Sequence, residues 1–324
     1  EALQTSIIYY HLQQFFDGTY LRTLGRLDSL YYSYYARENK NEADKLLLDY
    51  IKEIDRLKAP ANIPFALGGT DENGKCLIND LSYIWLDMYE KARTTNTKLH
   101  ILYAENTPED IIRKAFRYIR EGNNSIVFMS DGRVIESLEK QGVAHKDAVD
   151  YHVVGCYECG GAGELTCSCN ARVNIPKALE LALNGGRDML TGKLIGLEND
   201  GHFETFDALY KEFERQLTYL CKCAMTVTDL YESHYAEIHS APILSGVYTS
   251  ALQKGGDLYL DYSAKYNSSS LNAIGLATAT DSLAAIRKAV FEDKTVTLKE
   301  FTEILKSNWK EKEYFRLLIK NKYP

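Results

Sequence analysis

The stretch 154-VGCYECGGAGELTCSCNARVNIPKALELALNGG-186 sets four of the chain's seven cysteines between Cys156 and Cys169, and a carboxylate, Glu158, two residues past the first of them. Three chemistries suit that arrangement. Cys156-x-x-Cys159 followed by Cys167-x-Cys169 could present four thiolates to zinc or an iron–sulfur cluster, but zinc knuckles take the two-residue gap in both pairs, and no metal is expected. Free cysteine is most often a small, apolar, buried side chain, which is the expectation for Cys76, Cys221 and Cys223. The third chemistry is catalysis. Cys156 and Glu158 could serve together as nucleophile and general base, with Gly155 letting the backbone approach another group closely. A Cys-x-Glu pair by itself leaves the reaction open.

The elements that must position this pair can be read from hydrophobic periodicity. Helical spacing with capping or charged first turns runs over 42–57, 108–122, 176–186, 206–220 and 281–293, and a further helix is expected from Asp80 to Glu90. Between them lie runs of strand length, 62-NIPFAL-67, 98-KLHILYA-104, 124-NSIVFM-129 and 151-YHVVG-155. Alternating strand and helix predicts an α/β fold with parallel strands and functional loops at their carboxyl ends, and Cys156 falls at such an end. No repeat, low-complexity segment or linker divides the chain, so residues 1–324 are read as a single domain.

With 324 residues, 45% hydrophobic and 26% charged, the chain can bury a sizeable core. A net charge of −7 supplies no basic stripe, which argues against a nucleic-acid partner. No apolar run approaches the roughly 20 residues of a membrane span, and the first residues lack the features of a signal peptide. A cytoplasmic protein with reduced thiols is expected. The chain opens on Glu1 and stops at LLIKNKYP, so it is expected to be an excerpt of a longer one.

The wider context of the thiols is more specific. VVGCYE, followed by NIPKALELALNGG, resembles the thiyl-cysteine loop and following helix of glycyl radical enzymes of the pyruvate formate-lyase-like family, usually GC-x-E-P and later N-x-x-K-x-LELALN-x-G. The stretch 24-LGRLDSLYYSYY-35 resembles that family's LGR-x-D-Q-x-LYPYY. Likewise 67-LGGTDENGKCLINDLSY-83 resembles its LGG-x-D segment, and 264-AKYNSSSLNAIGLATATDSLAAIRKAVFED-293 its YN…DSLAAIKK-x-VFE region. The blocks follow the family's order across nearly the whole chain. The departures are Cys159 in place of the proline, and a loop remade around Cys167 and Cys169. Cys169 stands close to where several dehydratases of the family carry an acidic residue.

That resemblance implies part of a ten-stranded α/β barrel of the glycyl radical enzyme type with surrounding helices. It implies that a glycyl radical, on a glycine not in this chain, is passed to Cys156, whose sulfur takes a hydrogen atom from a small polar organic substrate. Glu158 would assist a dehydratase-like elimination of C–O, C–N or C–S bonds. Tyr157, His152 and Cys169 are candidates for the substrate pocket, and Asp28, Asp71 and Asn79 read as loop or cap residues. A radical SAM activating enzyme and a homodimer are the implied partners. A decarboxylase or formate acetyltransferase-type member is the alternative within enzymes. A degenerate half or a metal-binding thiol protein is the alternative outside them. The family's R-V-x-G-Y type motif does not occur in this sequence, which agrees with an excerpt, a split chain or a degenerate half.

Overall fold

A computed structural model describes residues 1–18, 23–56, 63–155, 157–161, 166 and 170–322. Its backbone divides into two compact units, Glu1–Ser168 with His234–Ser268, and Cys169–Ser233 with Ser269–Pro324.

The first unit opens with helices α1 (Ala2–Phe16), α2 (Leu27–Tyr35) and α3 (Lys40–Arg56). Strands β1 (Ile63–Gly68), β2 (Thr97–Tyr103) and β3 (Ile126–Ser130) then form a parallel sheet in the order β1-β2-β3. Parallel neighbours need long crossovers, and α4 (Asp80–Ala92) and α5 (Glu109–Arg120) supply them. Asn79 starts α4 with a capping box closed by Ser82. Strand register pairs Ala66 with His100 and Leu99 with Ile126.

Alternation along these strands creates two different faces. Phe65, Leu67, Leu99, Ile101 and Ile126 pack with Trp85 and Tyr89 of α4 and with Ile51 and Ile54 of α3. The opposite face carries Ala66 and Leu102. It is covered by Ile135 and Leu138 of α6 (Asp131–Lys140), by Ala148 of α7 (His145–Ala148), and by Tyr151 and Val153 of β4 (Tyr151–Val153). The second face is therefore where the thiol-bearing segment enters.

One expectation is corrected here. The segment 151–155 was predicted as a further parallel strand, but β4 folds back on β5 (Cys159–Gly161) in antiparallel pairs Tyr151–Gly161, His152–Gly160 and Val153–Cys159. Only 154–158 separates the two strands. That length suits a hairpin and is far too short for a parallel crossover.

In the second unit, β6 (Asn170–Asn174) and β7 (Ser270–Ile274) pair in parallel. The Asn174 side chain caps α8 (Ile175–Leu183) by accepting from the Lys177 amide at 3.3 Å, with Pro176 in the first turn where a missing N–H costs nothing. Ala178, Leu179 and Ala182 pack against Leu209 and Phe213 of α9 (Phe206–Glu232) and against Leu283 and Ile286. The helix α9 runs well past the predicted end at 220, so Cys221 and Cys223 lie within it. Cys223 is exposed and Cys221 half-buried, against the expectation that both are core side chains. The predicted helix 281–293 is observed as Leu276–Ile286 continuing into a π-helical turn, Arg287–Glu292.

Candidate active site

The β4–β5 hairpin carries the Cys-x-Glu motif at its tip. The amide of Val154 donates to the carbonyl of Glu158 at 2.7 Å, closing the turn. The amide of Tyr157 donates to Oε2 of Glu158 at 3.0 Å, so the carboxylate is held against its own loop. Cys159 Sγ lies 3.6 Å from the Tyr157 carbonyl. Cys156, Cys167 and Cys169 lie outside the described residues; the sequence places Cys156 midway along the tip, between buried Gly155 and Tyr157.

Two contacts fix how the hairpin meets the sheet. At its root, Tyr151 packs with Ala66 and Leu102 toward the carboxyl ends of the strands. At its tip, the Tyr157 ring stands edge-on to His100, with centroids 6.5 Å apart, and the Lys98 ammonium lies 5.8 Å from the Tyr157 centroid. Lys98 and His100 share the Leu102 face in the first half of β2. The hairpin thus enters from the carboxyl edge, where ligands of α/β sheets bind, and reaches down the second face. A cation over an aromatic ring beside Glu158 suits a polar substrate group. Lys98 and His100 were not anticipated, although polar residues at alternate positions of the apolar run 98-KLHILYA-104 were a readable signal.

Polar groups also converge on the hairpin's root. Arg26 is 7% exposed and pairs through Nη2 with Asp150, the residue before β4. Asp131, 1% exposed, accepts from the Thr70 hydroxyl at 2.6 Å. The Tyr151 hydroxyl is held above its ordinary pKa, first by burial and then by the adjacent Asp131 carboxylate; it stands beside that carboxylate without well-formed hydrogen-bond geometry. His152 retains some solvent area overall, but its Nδ1 is buried. Burial, with the Arg26 cation as a lesser cause, pushes His152 down to about 4, so it is neutral at ordinary pH.

The other family-like blocks have structural roles. Asp71 closes a turn by accepting from the Asn73 and Lys75 amides, and Asn79 is the cap described above. Asp28 departs from its reading as a loop or cap residue. It is a fully buried side chain of α2 whose Oδ2 accepts from the Ser82 hydroxyl at 2.6 Å and the Gly68 amide at 2.8 Å, tying α2, β1 and α4 together. Burial raises its pKa to about 6. A hollow along α9, bordered by Leu217, Cys221, Met225 and Asp229, is formed by one face of a single helix and has no converging polar groups from other elements. Among the described residues no group of three His, Cys, Asp or Glu side chains is set to hold a metal, and no helix is long and apolar enough to cross a membrane.

The α/β framework, with a Cys-x-Glu hairpin laid over one face of a parallel sheet, is of the glycyl radical enzyme type. The model of the family described as pyruvate formate lyase-like matches residues 1–324, and the chain belongs to that family. It is 27% identical to trans-4-hydroxy-L-proline dehydratase of Clostridioides difficile over 93% of this chain and 41% of that protein. It is 29% identical to (2S)-3-sulfopropanediol dehydratase of Klebsiella oxytoca over 88% of this chain and 37% of that protein. Among solved structures, the glycerol-bound B12-independent glycerol dehydratase from Clostridium butyricum matches with a TM-score of 0.77 at 26% identity, over 91% of this chain and 40% of that one. A glycyl radical enzyme from Archaeoglobus fulgidus shares the fold with a TM-score of 0.83 at 22% identity, over 98% of this chain and 43% of that one. The chain spans about two fifths of the length of the proteins it matches.

Proposed function

We propose that this chain is the thiol-loop portion of a glycyl radical enzyme of the eliminase, dehydratase-like branch, with residues 1–324 forming part of one barrel domain. The observation that supports the reading is the hairpin closed between Val154 and Glu158, whose Tyr157 lies against His100 and Lys98 on the second face of the sheet. The names of the two dehydratase relatives support the reaction class.

A glycyl radical, on a glycine that this sequence does not hold, would supply the oxidising equivalent for removing the hydrogen atom of the Cys156 thiol. Cys156 must carry that hydrogen beforehand, and a water-poor setting keeps a thiol protonated. The Cys156 sulfur then takes a hydrogen atom from the substrate carbon next to a hydroxyl. Glu158 accepts the hydroxyl proton as the neighbouring C–O, C–N or C–S bond breaks and its group departs. Returning the hydrogen from Cys156 to the product-side carbon leaves the sulfur again without its hydrogen, ready for another substrate; the resting thiol is regained only when the sulfur recovers the hydrogen atom it gave up at the start. Neutral His152 suits a donor to an uncharged oxygen, and Tyr157 and Cys169 complete the pocket candidates.

A small polar substrate, a radical SAM activating enzyme, a homodimer and a cytoplasmic setting belong to the same reading. The test is anaerobic activation of the natural polypeptide that contains this chain, followed by assay on trans-4-hydroxy-L-proline, sulfopropanediol, isethionate and glycerol. Turnover that disappears in Cys156→Ala supports the reading, and turnover unaffected by that change refutes it.

A further inference from the structure

We infer that Arg26 is a positioning residue for the hairpin that carries Glu158, acting through Asp150 and the β4 root; the catalytic consequence rests on the function proposed above. The β4–β5 ribbon has three residue pairs, two of them with glycine on one side, and a two-stranded ribbon of that size does not hold its own place in water. Its location must be imposed by the elements it touches, with Tyr157 against His100 and Lys98 at the tip and Asp150 and Tyr151 at the root. Arg26 is fixed first as backbone: it bridges to Ala66 of β1, and the Ala66 amide donates to the Gly25 carbonyl at 2.9 Å. Its guanidinium then reaches Asp150, immediately before β4.

The other guanidinium arm points to the bend after β1. A Cβ built on Gly69, whose φ is +85°, would stand 3.2 Å from Arg26 Nη1 and 3.3 Å from Asp131 Oδ1, so a side chain there would crowd the guanidinium as well as the carboxylate. Asp131 in turn holds Thr70 and lies beside Tyr151, the first residue of β4. Residue 150 is therefore held by the Arg26 ion pair, while Tyr151 beside it is held by packing against Ala66, Leu102, Ile135 and Leu138. A one-residue slip along β4 would displace the tip by about 3.3 Å and turn its side chains to the other face. That displacement would take Glu158 out of proton-transfer reach of a substrate placed by the rest of the pocket.

Hydrogen exchange across 151–161 in the natural polypeptide reads this directly, because the Val154 amide is protected only while the turn to Glu158 is closed. Arg26→Gln and Asp150→Asn are expected to speed exchange there at least about tenfold, with Arg26→Lys intermediate. In the activated enzyme both are expected to lower kcat with little change in KM. Tyr89→Phe, which removes a buried bond to the Thr97 carbonyl far from the root, should lower Tm without changing that exchange. Should Arg26→Gln fail to fold, Asp150→Asn, at a side chain 53% exposed, carries the test. Unchanged hairpin exchange in these variants, with only a fall in Tm, overturns the inference. Accelerated exchange combined with full turnover in Cys156→Ala leaves the positioning role standing and refutes the catalytic reading instead.

Discussion

Val154 and Glu158 close the hairpin tip through one short backbone bond of 2.7 Å, and that bond does not involve the Glu158 side chain. The carboxylate can therefore be neutralised without opening the turn. Glu158→Gln is expected to lower turnover by roughly 10²- to 10⁴-fold, the usual worth of a positioned acid–base group, with the fold retained. Steady-state kinetics together with exchange of the Val154 amide check both halves. A Gln variant with wild-type kcat would remove Glu158 from the mechanism.

Asp28 and His152 should give stability opposite pH dependences. The unfolded carboxyl releases its proton near pH 4, whereas folded Asp28, buried, holds it to about 6. Its contribution is full below pH 4 and is lost as pH rises through 6, roughly 3 kcal/mol over the window. His152, lowered from 6.5 to about 4, contributes fully above 6.5 and loses that contribution as pH falls through 4. Difference curves of unfolding free energy, wild type minus Asp28→Asn and wild type minus His152→Gln, should slope downward and upward respectively from pH 4 to 7. Parallel slopes would contradict the burial assigned to one of them.

Ser82 donates to Asp28 inside the core and also accepts from the Asn79 amide as part of the α4 capping box. Removing the hydroxyl takes one of two donors from the buried Asp28 Oδ2 and the acceptor of the half-buried Asn79 amide. Ser82→Ala is expected to cost roughly 1–3 kcal/mol, measured by urea unfolding at pH 7. A change within about 0.5 kcal/mol would show that neither bond matters.

Gly68 ends β1 with φ of +80°, and a Cβ there would sit 2.7 Å from Ile78 Cδ1 and 3.0 Å from the Leu102 carbonyl oxygen. The left-handed backbone alone disfavours alanine by about 1–2 kcal/mol, and the contact with β2 backbone cannot relax cheaply. Gly68→Ala is expected to lower stability by at least about 2 kcal/mol, read from the urea midpoint. A neutral substitution would mean that the β1 bend is not held by the sheet.

The parallel sheet was legible because β1, β2 and β3 are apolar runs separated by capped helices, and a helix from Asp80 was expected, with Asn79 before it read as a loop or cap residue; the part of Ser82 in the cap was not foreseen. A hairpin-like loop around Cys156 was expected from the family resemblance, but the antiparallel pairing of β4 with β5 was not, because Cys159–Gly161 carries no strand propensity and pairs only through tertiary support. The same holds for β6 and β7, whose sequences, NARVN and SLNAI, are too polar and short to declare themselves. Glu158 became a candidate through the family resemblance rather than through its spacing to Cys156 alone. Arg26, Asp131 and Asp150 are distant in sequence and converge only when the sheet forms. Lys98 and His100 needed the register of β2 and the depth of the hairpin to bring them to Tyr157.

The central claim is that the Cys156 sulfur carries the substrate's hydrogen atom. It is tested most directly by comparing wild type with Cys156→Ser after anaerobic activation, on protiated substrate and on substrate deuterated at the hydroxyl-bearing carbon. The account predicts slower turnover of the deuterated substrate by wild type and none by Cys156→Ser, whose O–H bond is too strong to exchange its hydrogen with carbon. Equal turnover of the two substrates by a Cys156→Ser variant as active as wild type would contradict it.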